Sequence, residues 1–529
     1  MKRILLFLYL MVLATHILTA GVTGKLVGMV TDQESGDPLA GTNVQVIGKP
    51  FGAATDINGR FIILNIPPGV YSIRVNYIGY ESMVQEEVQV STDLTTKLNF
   101  ALSSTVLQAQ EVVVIAIKGQ IQMDKTNTTA VIRKDELDAL PITSFTEALS
   151  LQAGVVGSGS NLHVRGGRAN EVAYLIDGLY VQDPLFGGLA TDIDNGAIQE
   201  MTLLSGTFNA EYGNSLSGVV NIVTREGGSK LSSSMEVQSN RISDASLVKP
   251  NVLNGTTVNS LSEYRFLGSL SGPLFINPLR FVLSGEINQQ GSYLPFGYKV
   301  SKSMFGKLTY TGIQGMKLNL MTRFNNNERQ NYSHSWKFIP ERYYRSRSQS
   351  QHLALILTHT LSNHFFYDLR ISSFNQDYYS GVDKDTSEYM PWSNSEYVPN
   401  VGTGWEFYAN ADPPELVDSK TSTENIRLDF FWQLGTYNEL KFGGEYKKHH
   451  ITLWEVYDPQ RDNPYIDNYK TDPFEASAYF QDKIEFPFLV INLGLRFDNI
   501  DANAKFRENP LDSTSNKLVK SRYQISPRL

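Results

Sequence analysis

The residue types that most often carry out catalysis are present in this sequence, but not at the spacings that catalysis needs. None of the eight His residues opens an H-x-x-E or H-E-x-x-H pair, and the chain contains no Cys. These facts exclude the common zinc-peptidase pattern, thiolate metal sites and cysteine nucleophiles. His163 and Arg165 have no serine nucleophile motif of the G-x-S-x-G type beside them, so we expect both to be buried or interfacial structural residues. The sequence therefore predicts no catalytic residue, no metal ligand and no cofactor.

Two short motifs resemble parts of ligand sites. Asp56-x-Asn58-Gly59 has the start of a calcium-binding loop, but it lacks the third acidic position and the closing Glu of an EF-hand. Because Asn-Gly tolerates positive φ at both residues, a hairpin turn is the better interpretation. Gly157-Ser-Gly159 lacks the third glycine of a dinucleotide-binding fingerprint and predicts only a loop.

A short β-branched run is suited to pairing through its backbone. It consists of Glu111, Val112, Val113, Val114, Ile115 and Ala116. One interpretation makes this run an additional strand of the domain before it. The other makes it a mobile strand that pairs with the sheet edge of another protein, since such β-augmentation uses backbone hydrogen bonds and tolerates a plain Val-rich sequence.

The composition favours an exported, β-rich protein. The chain has 46 Lys+Arg against 54 Asp+Glu, a net charge of −8, and no basic block, so we expect no nucleic-acid partner. Charged residues make up 19% and aromatic residues 11%, which suits a β-rich protein with a partly lipid-facing surface. Residues 1–20 have a positive start, an apolar run and a small final residue, which is the pattern of a secretory signal peptide.

Residues 21–103 predict a small β-sandwich, because strand-like segments and turns alternate at short, regular intervals. The stretches GMVTDQESGDPLAGTNVQV, TDINGRF and IPPGVYSIRVNYIGYES resemble the carboxypeptidase-regulatory-like domain. That resemblance implies a seven-stranded, transthyretin-like sandwich. We predict that residues 104–125, which include the β-branched run, form a linker after it.

Residues 126–228 combine short helices with strands that end in glycine turns. Ser144, with Glu147 three residues later, predicts a capped helix start. The stretches LHVRGGRANEVAYLIDGLYVQDP and IQEMTLLSGTFNAEYGNSLSGVVNIVTREGG closely resemble the α+β plug domain of TonB-dependent outer-membrane receptors. The residues that carry this resemblance are Arg165, Gly166, Gly167, Asp177, Gly178, Tyr212, Gly213, Gly218 and Asn221. By the same resemblance, residues 111–116 fall where the family has its TonB box.

From residue 229 to residue 529, segments of alternating apolar and polar residues recur between polar turns. Transmembrane β-strands need this alternation because one face meets lipid and the other a watery lumen. We therefore predict part of an antiparallel transmembrane β-barrel in the cell outer membrane, and the plug resemblance implies a barrel of about 22 strands when complete. Longer polar stretches at 325–348, 378–422 and 455–473 are expected to be extracellular loops. Their tryptophans either bind sugars or peptides or pack the loops together, and the sequence leaves both interpretations open.

The barrel segment has only about a dozen strand candidates, and the 529-residue chain stops in a strand-like segment without the terminal aromatic residue usual in such barrels. We therefore expect the sequence to be the N-terminal portion of a longer protein, with a truncated barrel.

The resemblance implies a TonB-dependent transporter for an unidentified ligand, which moves the ligand and is not an enzyme. Its implied partners are TonB with its inner-membrane motor complex, the extracellular ligand, and the lipid and lipopolysaccharide of the membrane. Two alternatives stay open. One is a SusC-like glycan importer with a surface lipoprotein partner, and the other is an adhesion or signalling receptor that kept the plug fold but transports nothing.

Overall fold

A computed structural model provides the structure of the chain. It describes residues 23–104, 112–115, 128–158, 161–240, 250–253, 256–259, 263–275, 278–292, 294, 296–384, 387, 389, 396–399, 406–410, 412–459, 461–486, 489–509 and 514–528. The predicted signal peptide, residues 1–20, lies outside the described residues.

The N-terminal domain is a sandwich of two sheets. Its strands are β1 (Gly24–Asp32), β2 (Asn43–Val46), β3 (Gly52–Ala54), β4 (Arg60–Ile66), β5 (Gly69–Asn76), β6 (Met83–Val90), β7 (Thr95–Leu102) and β8 (Val112–Ile115). One sheet has the order β4-β1-β7 and the other β3-β2-β5-β6-β8. Alternate residues of both sheets, among them Leu26, Phe61 and Ile73, bury their side chains in the core between them.

The Asp56–Gly59 segment is a turn, but the predicted hairpin is wrong. The strands on either side of it belong to different sheets, because β3 pairs with β2 and β4 pairs with β1. The Asp56 carboxylate accepts hydrogen bonds from the backbone N–H groups of Asn58 and Arg60, at 2.9 and 2.8 Å. The side chain thus stabilises a turn that carries the chain from one sheet to the other.

The plug domain follows as an α+β unit. Its elements are β9 (Thr128–Arg133), α1 (Lys134–Ala139), α2 (Phe145–Ser150), β10 (Val155–Ser158), β11 (Asn161–Val164), β12 (Val172–Ile176), β13 (Leu179–Tyr180), β14 (Ile198–Ser205) and β15 (Gly218–Thr224). The main sheet has the order β13-β12-β15-β14-β9. As predicted, Ser144 caps α2, since its side chain accepts a hydrogen bond from the N–H of Glu147.

The remaining strands form one large antiparallel sheet and three small hairpins. They are β16 (Ser232–Ser239), β17 (Pro250–Leu253), β18 (Thr256–Asn259), β19 (Glu263–Pro273), β20 (Leu279–Gly291), β21 (Tyr298–Tyr310), β22 (Met316–Gln330), β23 (Arg345–Ser362), β24 (Phe365–Gly381), β25 (Glu396–Pro399), β26 (Glu406–Asn410), β27 (Glu415–Leu434), β28 (Asn438–Tyr457), β29 (Tyr465–Thr471), β30 (Phe474–Glu485), β31 (Val490–Asp501), β32 (Lys505–Arg507), β33 (Asn516–Leu518) and β34 (Arg522–Arg528). The large sheet, called the wall below, runs β16-β19-β20-β21-β22-β23-β24-β27-β28-β30-β31-β34, with β29 added to β28. Within the described residues, no pairing joins β16 to β34.

The wall has the predicted alternation of faces. Its outward side chains include the exposed residues Phe266, Leu283, Phe324, Phe480 and Leu495. Its inward side chains include the buried residues Arg265, Lys307, Arg323, Arg370 and Arg496. The inner face of the wall therefore carries buried charged side chains, but it also carries apolar ones, since Val282, Phe305, Met321, Ala354 and Ile356 pack into the hydrophobic core of the plug. In the part of the chain that the structure describes, no helix is long and apolar enough to cross a membrane.

Short and long connections alternate along the wall, so all short turns lie at one end (the short-turn end) and all long loops at the other (the long-loop end). The long connections corresponding to the three predicted loops are 331–344, 382–414 and 458–473. The predicted end of the third loop at residue 473 is confirmed, but the other five loop boundaries were wrong, because the strands continue into the predicted loops. Beyond the lipid both faces of a strand meet water, so the apolar alternation stops although the hydrogen-bond ladder continues.

Candidate functional site

The plug meets the wall first at the Asp177-Gly178 turn. Asp177 and Gly178 form the two-residue loop between β12 and β13, and the residues on either side of it, Ile176 and Leu179, are paired. Both loop residues have positive φ, 49° for Asp177 and 77° for Gly178. A two-residue hairpin loop with positive φ at both positions is a type I′ turn, which Asp-Gly sequences favour. The Asp177 carboxylate accepts hydrogen bonds from the N–H and the hydroxyl of Thr224, at 2.9 and 2.6 Å. The turn is thereby attached to the end of β15.

Two cations of the wall hold this turn. The Lys307 ammonium lies 3.1 Å from the Asp177 carboxylate, and the Arg370 guanidinium donates to the Asp177 backbone carbonyl at 3.2 Å. All three side chains are buried. A Cβ added to Gly178 would lie 3.0 Å from Nε of Arg370, so this glycine also leaves space for the guanidinium. The turn is an ionic contact between plug and wall.

Arg370 belongs to a buried charge cluster made of wall residues. Its guanidinium bonds the carboxylates of Asp368, at 2.6 Å, and Asp429. Arg427 also bonds Asp429, at 2.8 Å, and the Tyr479 hydroxyl donates to the same carboxylate at 2.7 Å. Two guanidinium groups thus face two carboxylates, and their formal charges cancel. Lys307 is consequently the wall cation that neutralises the Asp177 carboxylate of the plug turn.

A second plug–wall contact lies at Tyr212-Gly213. The Arg496 guanidinium donates to the backbone carbonyls of Ala210 and Glu211, both at 3.2 Å. A Cβ added to Gly213 would overlap that guanidinium. Gly213 is not among the positive-φ residues, so it is the space for Arg496 that requires a glycine here.

We expect the substitution Gly213→Ala to weaken the plug–wall contact by about 1–3 kcal/mol, because the added methyl group overpacks the site. The thermal unfolding midpoint in detergent and the protease resistance of the plug measure the loss. Gly268→Ala is the matched control, since a Cβ there would lie 3.6 Å from its nearest atom, in the Phe266 ring. Equal losses in both variants would contradict the argument from space.

The RGG segment is a tight turn after β11. Arg165 and Gly166 have positive φ, 50° and 78°. A Cβ on Gly167 would overlap the Ser217 side chain, so this glycine lets the turn pack against the segment that leads into β15.

His163 and Arg165 were predicted to be buried or interfacial, and burial was wrong for both, because their side chains are exposed. In β11 the alternate residues Leu162 and Val164 enter the plug core, so the residues between and after them point outward. The His163 ring bonds the Gly167 carbonyl at 2.8 Å, which is a local contact of the turn.

Gly218 and Asn221 lie on β15, in the middle of the plug sheet. A Cβ added to Gly218 would lie 3.2 Å from the Val164 side chain, so the glycine permits close packing of β15 on β11. Asn221 is buried and lines a small cavity together with Asp93 and Lys441. Three parts of the chain therefore meet at this cavity: the plug, the wall and the N-terminal sandwich.

Lys25 of the sandwich is inserted into the short-turn end of the wall. Its ammonium lies 2.6 Å from the Glu439 carboxylate and 2.8 Å from that of Glu485, and its side chain is only 7% exposed. Burial by itself lowers the pKa of Lys25, but the two carboxylates outweigh it and raise the pKa above the usual 10.5. Lys25 is therefore a buried cation that links the sandwich to the wall.

The sandwich also contacts the plug through residues 91–95. The Asp93 carboxylate bonds the Lys441 ammonium of the wall at 2.7 Å and accepts from the Tyr212 hydroxyl of the plug at 3.1 Å. The Thr92 N–H donates to the Glu200 carboxylate of the plug at 2.9 Å. Burial raises the pKa of Glu200, and this N–H partly offsets the effect. The sandwich thus covers the face of the plug at the short-turn end.

Sequence reasoning singled out the glycines and Asp177 but missed the side chains that meet them. The sequence did contain a signal for these contacts, because each missed residue is a single Lys or Arg at an inward-facing position of an alternating strand or next to a turn. The missed residues are Lys25, Lys307, Arg370, Lys441 and Arg496.

At the long-loop end, plug loops and wall line an open cavity of about 780 Å³. Asp183 and Asp192 of the plug line it, together with Lys299, Gln376 and Tyr378 of the wall. Gln376 is buried, and its carbonyl oxygen has no hydrogen-bond partner among the described residues. A cavity of this size with polar and aromatic walls can hold a small ligand. We call it the outer cavity.

The described loop aromatics pack against each other. Trp336 stacks on Tyr408, with ring centroids 4.3 Å apart, and also contacts Tyr343. Trp336 is only 4% exposed, which supports the loop-packing interpretation for this residue. Trp392 and Trp405 lie outside the described residues. Among those that are described, no group of three or more His, Cys, Asp or Glu could hold a metal ion.

The described part of the β-branched run, 112–115, is strand β8 at the end of the larger sandwich sheet. It pairs in parallel with β6, with Val112 opposite Met83 and Ile115 opposite Glu86. This arrangement corresponds to the first interpretation, an additional strand of the preceding domain. It does not test pairing with another protein, which stays a prediction. Glu111 and Ala116 lie outside the described residues.

Three family profiles match successive parts of the chain. The CarboxypepD_reg-like domain matches residues 26–114, the TonB-dependent Receptor Plug Domain residues 121–220, and the TonB dependent receptor-like β-barrel residues 289–529.

Curated proteins and solved structures agree with these profiles. The chain is 23% identical over 278 residues to the TonB-dependent transporter Oar of Myxococcus xanthus, covering 49% of this chain and 26% of Oar. It is 30% identical over 219 residues to the TonB-dependent receptor SusC of Bacteroides thetaiotaomicron, covering 38% of this chain and 21% of SusC. Its fold is similar to that of the outer membrane transporter YddB from Escherichia coli, with a TM-score of 0.54, 12% identity, and coverage of 76% of this chain and 58% of YddB. The matched region thus spans about a fifth to a quarter of these curated relatives.

Proposed function

The chain belongs to the TonB-dependent receptors, a family of outer-membrane proteins, and from this premise we propose that it takes up a ligand across the outer membrane with energy delivered through TonB. The observation that carries the proposal is the buried contact of Asp177 with Lys307. A separately folded domain lies against the inner face of the wall and is held there by ion pairs and apolar packing, side-chain contacts that a pull can break without unfolding the wall.

The outer cavity is the proposed ligand site. It lies at the long-loop end, which faces outward in barrels of this kind. Asp192 offers a hydrogen-bond acceptor and Tyr378 an aromatic ring, so the cavity suits a polar ligand with hydrogen-bond donors. The matched relatives are receptors and transporters, and we extend this to the chain: the ligand is moved, and no covalent bond in it is made or broken.

TonB is the proposed energy-coupling partner, and residues 111–116 are its proposed binding segment. The support is their position before the plug and the extended backbone of residues 112–115. A strand of this kind offers main-chain hydrogen bonds to a second chain.

We expect Val113→Pro to reduce binding of the purified periplasmic domain of TonB by more than about tenfold, because proline removes a backbone donor and restricts φ. Binding is measured on outer-membrane vesicles that hold the protein. The control Val113→Thr keeps the N–H group and the β-branched side chain, so it should bind like the parent. Unchanged binding by the proline variant would contradict the assignment of the box.

A SusC-like glycan importer is the second candidate, favoured by the 30% identity to SusC. This candidate requires a surface lipoprotein partner. Affinity purification from outer membranes tests it: a lipoprotein recovered in stoichiometric amount supports the glycan importer, and its absence favours the general receptor.

A further inference from the structure

The N-terminal sandwich touches the wall at widely separated strands. Lys25 bonds the ends of β28 and β30. On another side, the Asn65 amide donates to the Thr360 hydroxyl near the end of β23, at 2.8 Å. These strands are not all neighbours in the sheet, so the sandwich extends across the short-turn mouth of the lumen.

The same domain covers the plug within that mouth. Residues 92–94 line a cavity of about 40 Å³ whose opposite side includes Thr202 and Asn221 of the plug sheet. Thr202 is 6% exposed, and its hydroxyl has no partner among the described residues. A cavity this small shows close contact, so a reagent from the aqueous phase cannot reach Thr202 while the sandwich is docked.

The sandwich also holds the strand on which the proposed pull acts. Strand β8 pairs with β6 over four consecutive residues, from Val112 to Ile115. While this pairing lasts, a force applied to β8 passes into the sandwich sheet. From there it passes to the ion pairs of Lys25 and Asp93, before it reaches the plug through the chain beyond residue 115.

We propose that the N-terminal sandwich is a cap on the exit of the lumen, and that a pull on β8 releases this cap before the plug moves. The inference rests on the proposed function for the source of the pull, whereas the cap itself rests on the contacts of Lys25, Asn65, Thr92 and Asp93. Release of the cap exposes the plug face and opens the mouth for the ligand.

A single reporter cysteine tests the cap without knowledge of the ligand. The chain has no Cys, so Thr202→Cys introduces a unique thiol beneath the sandwich. The probe is a charged methanethiosulfonate reagent, and the readout is its rate of reaction in outer membranes that contain the full chain. The thiol should react slowly in the parent. Lys25→Met should accelerate the reaction about a hundredfold or more, since it leaves the buried Glu439 carboxylate without its ion-pair partner and removes one of the two lysines that bond Glu485.

Two further variants keep the test independent of folding defects. Lys97→Met removes an exposed lysine of the same domain and should leave the labelling rate unchanged. Asp93→Asn keeps a residue that tolerates the positive φ of 57° at this turn and removes only the charge that meets Lys441, so it should also accelerate labelling. Equal rates in the parent, Lys25→Met and Asp93→Asn would overturn the cap.

The pull is tested separately, in cells with and without TonB. We expect TonB and an energised inner membrane to accelerate labelling of Thr202→Cys by at least about tenfold through a larger open fraction, and Val113→Pro to abolish this acceleration. Acceleration by Lys25→Met without any effect of TonB would contradict the proposed function and the release by pulling. Acceleration by TonB with no effect of Lys25→Met or Asp93→Asn would support the proposed function and contradict the cap.

Discussion

Replacing Asp177 by alanine should destabilise the seating of the plug in the lumen by about 3–5 kcal/mol, because it leaves the buried ammonium of Lys307 without its carboxylate. The Asp177 carboxylate also holds the N–H and hydroxyl of Thr224, so the same substitution loosens the end of β15. The positive φ of 49° adds strain for alanine. The expected result is a lower thermal unfolding midpoint in detergent and faster proteolysis of the plug.

Two variants separate the charge from the other effects. Asp177→Asn keeps a side chain that accepts hydrogen bonds and tolerates positive φ, so it isolates the loss of the charge and should fall between the parent and alanine. Asp135→Ala removes an exposed acidic residue of the same domain and should change the midpoint little. If Asp177→Ala costs no more than Asp135→Ala, the ionic contact does not hold the plug.

Replacing Lys25 by methionine should weaken the docking of the sandwich by about 3–5 kcal/mol, because the buried Glu439 carboxylate loses its ion-pair partner and Glu485 keeps only its ion pair with Lys483. Methionine retains an apolar stem, so the packing of β1 is largely preserved. Hydrogen exchange at the Thr92 amide reports docking, since this N–H bonds Glu200 across the interface. We expect its exchange to accelerate in the variant.

The pH dependence has a definite sign. The pKa of Lys25 is raised in the folded protein above 10.5, so its contribution to docking is fully present below about pH 10.5 and is lost as the pH rises through the raised value. Lys97→Met should show parental exchange at Thr92 across the same range. A Lys25→Met variant with parental exchange at neutral pH would show that the ion pairs do not secure the domain.

Local physical rules let the sequence alone predict much of this molecule. A two-residue hairpin turn with positive φ at both positions favours Asp-Gly, so the sequence Asp177-Gly178 by itself indicates a turn. Alternation of polar and apolar residues has the period of a strand, so the wall and the orientation of its faces were readable too. Ser144 with Glu147 predicted the start of α2 for the same reason: the contact spans only three residues.

The tertiary structure decided which side chains meet. The wall residues that contact the plug turn are more than a hundred residues from it in sequence, and no local pattern encodes the choice of Lys307 and Arg370. The residue type of His163 could not predict whether its side chain is buried, because the register of β11 decides which face of the strand carries that side chain. Strand β8 shows the same limit. Its sequence permits pairing with any open sheet edge, and the position of β6 beside it selected the edge of its own domain, because backbone hydrogen bonds carry no side-chain specificity.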